Sequence, residues 1–140
     1  MIKKILILTF FIFCNINSLL AKNEYFQEGK KLFKNKKFEE AKFKFEKDIV
    51  YNPKNELSYL YLSKIFKNLD KKKQEEQNLN TVILLNPENE EAIYNLAQLK
   101  LDSSDYKKSK ELNDKLSSLC KLFCNESKKL IIEIENLSKK

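Results

Sequence analysis

The chain has 140 residues, with 27 basic side chains against 20 acidic ones and a formal net charge of +7. Every basic residue is a lysine, and histidine and tryptophan are absent. No imidazole base or histidine-bearing metal site can therefore be built, and a single glycine leaves no glycine-rich phosphate loop.

The first element is hydrophobic. Met1 to Lys4 is a short positive start, and Ile5 to Phe13 is an apolar run broken only by Thr9. Asn15, Asn17 and Ser18 dilute it before Leu19-Leu20-Ala21. A spanning helix needs about 20 apolar residues, more than this stretch offers. Residues 1–21 therefore read as a secretory signal peptide cut after Ala21, with an uncleaved signal-anchor as the alternative. Lys3 and Lys4 hold the start on the cytoplasmic side in both readings, so the remainder faces outward. Phe13 is large where a lipid-attachment signal wants a small residue before its cysteine, which argues against lipidation at Cys14. Taking Lys3 and Lys4 from +7 leaves +5 for residues 22–140. Lysines and acids are interleaved there, so most of that charge is read as solvated helix faces.

Beyond Ala21, Asn52-Pro53 and Asn86-Pro87 stand 34 residues apart, the length of one helix–turn–helix unit in a stacked array. The block before Pro53 carries Tyr25, Gly29, Leu32, Phe38, Ala41 and Phe45. The block before Pro87 carries Tyr59, Ser63, Phe66, Glu75 and Leu79. A third block without its proline carries Ile93, Ala97, Tyr106, Ser109 and Leu116. The first helix holds Tyr25, Leu32 and Phe33 on one stripe, with Gly29 mid-helix, where it lets a neighbour approach closely. Asn35 to Lys37 makes a turn. Phe38, Ala41, Phe45 and Ile49 then share one face, and Pro53 ends that helix. The second pair is expected near Asn55–Leu69 and Lys72–Leu85, with Glu75 in place of a small residue at the helix crossing, a sign of a looser unit. The third pair is expected near Asn89–Asp102 and Asp105–Ser118, with an N-cap from Ser103 to Asp105. Asn125 to Leu137 is amphipathic and reads as a capping helix that covers the apolar end of the array.

These blocks resemble tetratricopeptide repeat (TPR) proteins, on Tyr25, Glu28-Gly29, Leu32, Ala41, Phe45 and Pro53. The second copy is Tyr59, Leu62-Ser63, Phe66, Leu79 and Pro87, and a weaker third is Leu96-Ala97 and Ser109. The resemblance implies an all-α, right-handed superhelix. It would comprise repeats of about 22–55, 56–89 and 90–123 and a capping helix of about 125–138, within a domain of 22–140. It also implies a concave groove lined by Phe26, Lys30, Phe33 and Lys34, then Leu60, Tyr61, Lys64, Lys67 and Asn68, then Tyr94, Asn95, Gln98 and Leu101. Rings, amides and lysines suit a protein or peptide segment, and the lysines favour an acidic one. Phe33 and Leu60 read equally well as core. Phe26, Tyr61 and Tyr94 occupy three offsets where relatives that grip a C-terminal carboxylate place lysine and asparagine, which argues against that specificity.

Cys120 and Cys124 leave two readings open: a disulfide that pins the capping helix in an oxidising compartment, or two small buried hydrophobes; three intervening residues, where the familiar redox motif has two, argue against a catalytic redox pair. The expected role is that of a non-enzymatic, exported bacterial adaptor or assembly factor, periplasmic or extracytoplasmic. No cofactor, metal or nucleic acid is expected. A membrane-anchored structural subunit of an envelope complex is the alternative, and attachment to an anionic envelope polymer is a third reading.

Overall fold

The computed structural model describes residues 24–139, all helices and turns with no strand among them. The leader expected over residues 1–21 lies outside the described residues. Helix α1 covers 24–34. It is followed by α2 (Phe38–Tyr51), α3 (Glu56–Asn68), α4 (Lys72–Leu85), α5 (Glu90–Asp102), α6 (Tyr106–Leu119) and α7 (Cys124–Leu137). These bounds match the helices expected from proline spacing to within a residue or two.

The turn inside each hairpin is the same turn three times. Lys36, Asp70 and Ser104 have φ of 59°, 52° and 59°, and each stands 34 residues from the next. The amide after each one donates to a carbonyl five residues back: Lys37 to Leu32 (3.0 Å), Lys71 to Phe66 (2.9 Å) and Asp105 to Lys100 (2.9 Å). Such a bond closes a helix through one left-handed residue. None of the three is glycine, so each side chain bears the steric cost of that geometry. Asp105 then caps α6, its carboxylate accepting from the Lys108 amide at 3.1 Å.

The links between hairpins follow the prolines. Asn52 and Asn86 have φ of −139° and −140°, outside the helical region that a following proline disfavours. Cys120 is in phase with them but precedes Lys121, and it turns left-handed instead, with φ of 36°.

The described residues form two compact units, divided between Ser58 and Tyr59. In the first, Ala41 and Phe45 are fully buried. A Cβ placed on Gly29 would sit 2.8 Å from Phe45 Cε1, so the glycine is there to admit that ring. Phe26 meets Phe45 edge-on at 5.9 Å, and Phe33 meets Phe38 at 5.6 Å. The buried face of α2 departs from expectation: it is Ala41, Phe45 and Asp48, while Phe38 and Ile49 are only half-buried. Asp48 Oδ2 accepts from Asn55 Nδ2 (2.7 Å) and Ser58 Oγ (2.5 Å), and Oδ1 has no hydrogen-bond partner.

In the second unit Leu60, Leu79, Val82, Ile93, Leu96, Ala97, Leu116, Leu130 and Ile134 belong to one core. The small position of the crossing holds Ser109, whose hydroxyl donates to the Ala97 carbonyl at 2.9 Å. In phase with Phe45 and Leu79 the third hairpin has Asn113, also buried, where it accepts from Ser127 Oγ at 3.0 Å. That bond joins α6 to α7, and Leu130 and Ile134 of α7 complete the core beside it. Glu75 occupies the crossing of the second hairpin at 4% exposure. Burial pushes its carboxyl above the usual range; Lys67 and Lys72 pull it down, and Asp102 and Asp70 push it further up.

Two measurements check this packing. Gly29→Ala gains about 1 kcal/mol of helix propensity but must displace a buried ring, an overpacking cost of about 1–3 kcal/mol. Urea unfolding should show a net loss, and Phe45→Leu in the same chain should recover part of it. For Glu75, a raised folded pKa means a stabilising contribution that is whole below the ordinary carboxylate range and is lost as pH rises through the folded value. Glu75→Gln should therefore raise the melting temperature at neutral pH, with the advantage shrinking as both proteins are acidified.

Candidate functional site

The expected partner-facing residues fall into three groups. Phe26 and Leu101 are corrected to core at 8% and 4% exposure, and Leu60, at 4%, takes the core one of its two readings, because each ring or branched chain turns into its own unit. Phe33 is half-buried against Phe38. In the first unit Lys30 and Lys34 are exposed, with Lys30 Nζ 5.5 Å from the centre of the Phe26 ring.

The second unit brings most of the others together. Tyr61 is half-buried on α3, and Lys64 one turn later lays its Nζ 5.1 Å from the tyrosine ring centre. The same Nζ lies 2.6 Å from Glu91 Oε1 on α5, tying the two helices together. Lys67 and Asn68 are exposed at the end of α3. Asn68 Nδ2 donates to the Lys64 carbonyl (2.8 Å). On α5, Tyr94, Asn95 and Gln98 are half-buried. The Tyr94 ring lies 5.5 Å from that of Phe123. Burial, then the charges of Glu126 and Glu133 on α7, raises its hydroxyl pKa. The result is a wall of two tyrosines, amides and a lysine already paired with a carboxylate. Such a surface can stack on apolar side chains and hydrogen-bond a peptide backbone.

At the edge of this wall Cys120 and Cys124 are joined by a disulfide, with Cα atoms 4.9 Å apart. Because Cys120 turns left-handed and α7 starts at Cys124, the bridge spans a bend and not a continuous helix. Sequence reading missed the partner of this loop. Glu90, buried in the first turn of α5, accepts three consecutive backbone amides: Lys121 (2.5 Å) and Leu122 (2.6 Å), then Phe123 (2.8 Å). Burial alone would push its carboxyl up, but the three amides outweigh that and hold it below the usual range. Lys121 Nζ reaches Glu88 at 2.6 Å. No group of three or more histidine, cysteine or acidic residues suited to a metal ion occurs among the described residues. Nor is any helix there long and apolar enough to cross a membrane.

No protein-family profile matches the chain, and no curated protein matches it. Solved structures do. The TPR2B domain of yeast Sti1, solved as a complex with pHsp70, gives a TM-score of 0.77 at 16% identity, over 84% of this chain and 98% of that one. The first TPR domain of Spaghetti (RPAP3), bound to the HSP90 peptide SRMEEVD, gives 0.77 at 17%, over 86% and 95%. The Yersinia enterocolitica type III secretion chaperone SycD, in complex with a peptide of the translocator YopD, gives 0.74 at 12%, over 84% and 94%. At such identities the likeness is one of fold. The chain has the tetratricopeptide repeat fold.

Glu90 generates a test with a definite sign. A depressed folded pKa stabilises above the ordinary carboxylate range, and that stability is lost as pH falls through the folded value. Glu90→Gln should lower the melting temperature at pH 7 by several degrees and accelerate hydrogen exchange at the three loop amides. The difference from wild type should close on acidification, and a constant difference down to pH 2 would exclude the carboxylate as its source.

Proposed function

We propose that the protein is a non-enzymatic interaction module that holds a peptide or protein segment on the α3–α5 wall. Three solved neighbours of the same fold were determined with peptide or protein ligands, which supports a binding role. The observation that carries the site is that Tyr61 on α3 and Tyr94 on α5, neither wholly buried, stand with Asn95 and Gln98 on two helices joined by the Lys64–Glu91 ion pair. Lys64 is already paired with Glu91, so the recognition is chiefly aromatic and amide-based, with Lys67 supplying the attraction for an acidic segment.

The setting of this module is an exported one, as adaptor or assembly factor outside the cytoplasm. The leader-like residues 1–21 support that reading, and so does the Cys120–Cys124 bridge, since such bonds persist in oxidising compartments. N-terminal sequencing of the native protein tests it. A chain that starts at Lys22 agrees with export, whereas an intact Met1 favours the membrane-anchored subunit.

Crosslinked affinity capture from the envelope fraction tests the site. Tyr61→Ala should weaken capture by about tenfold or more, the scale of an aromatic hot spot, with melting temperature little changed. Lys67→Glu should weaken it less, and more at low salt than at high. Undiminished capture by Tyr61→Ala would remove the wall from consideration.

A further inference from the structure

We propose that the Cys120–Cys124 disulfide is a site of thiol–disulfide exchange with an external dithiol, and that its state sets how firmly Tyr94 is held on the partner-facing wall. The second half rests on the binding reading above; the first does not.

The bond is placed for exchange. Cys120 is exposed and Cys124 half-exposed, so the bridge lies at the surface and is not sealed in a core. The ring it closes runs only from 120 to 124, and what it restrains is local. Inside the ring lie the three amides held by Glu90 and the Phe123 ring that packs on Tyr94. Leu122 stands out at 84% exposure, so the loop is fixed by its backbone and by Phe123, not by burying its central side chain. Cys120 also sits in a left-handed conformation that a non-glycine residue leaves readily when unrestrained. The loop therefore links a redox-active bond, one buried carboxylate and one ring of the wall.

The chemistry balances. One thiolate of the dithiol attacks a sulfur of the bridge, forming a mixed disulfide and releasing the other cysteine as a thiolate that takes up a proton. The second thiol of the reductant then attacks the mixed disulfide and frees the remaining cysteine. Two electrons pass to the protein, and the reductant leaves as its own disulfide. Opening of a ring this short becomes on the order of thirtyfold more frequent once the cross-link is gone.

The test uses the full chain with dithiothreitol as the dithiol, alkylation mapped to Cys120 and Cys124, amide hydrogen exchange, and NMR of the tyrosine rings. On reduction the Lys121, Leu122 and Phe123 amides should exchange roughly thirtyfold faster and the Tyr94 ring resonances should move, while α2 keeps its protection. Phe123→Ala in the oxidised chain should move the Tyr94 resonances with the loop amides still protected. A bridge that resists excess dithiothreitol in the folded chain, or loop amides that exchange equally in both states, overturns the exchange site. Tyr94 resonances indifferent to reduction overturn the link to the wall, whatever Phe123→Ala does. Neither readout needs a partner, so both stand apart from any failure of capture.

Discussion

Each hairpin can exist only if the chain leaves one helix and enters the next without losing the backbone hydrogen bonds at the bend. Lys36, Asp70 and Ser104 meet that requirement by going left-handed, and the following amide reaches back five residues to satisfy a carbonyl at the helix end. With the reversal set, paired helices must lie close, and the crossing needs a small residue opposite a large one. Gly29 opposite Phe45 leaves no room even for a Cβ, and Ser109 against the Ala97 carbonyl meets the same need with a hydrogen bond. The core, the wall on α3 and α5 and the loop before α7 all follow from this spacing.

Three buried carboxylates show how differently one fold can treat the same group. Glu90 is compensated by three amides and ionises readily. Glu75 has distant lysines but no such cradle, and desolvation dominates. Asp48 is satisfied on one oxygen by Asn55 and Ser58 and is bare on the other. Burying such groups costs free energy unless they are hydrogen-bonded, so Glu90 strengthens its surroundings while Glu75 weakens its own.

Helix number and limits were legible because Pro53 and Pro87 bias the residue before each out of helical geometry, and because the 34-residue phase repeats. The close approach at Gly29 was legible for the same reason. Asp48 and Asn113 were not, since a polar residue inside a helical pattern reads as exposed. Their phase was nonetheless a signal: Asp48 aligns with Val82 and Leu116, and Asn113 with Phe45 and Leu79, all buried. Glu90 gave no sign, because its partners are backbone amides some thirty residues on. Among the candidate wall residues, Tyr61, Lys64, Tyr94, Asn95 and Gln98, named by helical offset, are half-buried and keep part of their surface open. Helical offset could not tell that Phe26 and Leu101 turn inward and left Leu60 open, since an offset specifies a direction from the helix axis and not what lies there.

The bond from Lys64 to Glu91 changes how ionic strength would act on the wall. For the acidic ligand proposed above, added salt weakens the pull of lysines. It also loosens an ammonium that the unliganded protein keeps for itself, and so lowers the cost of redirecting that ammonium outward. The two effects oppose each other, so ligand release on adding salt should be gentler than the number of lysines along the surface would suggest.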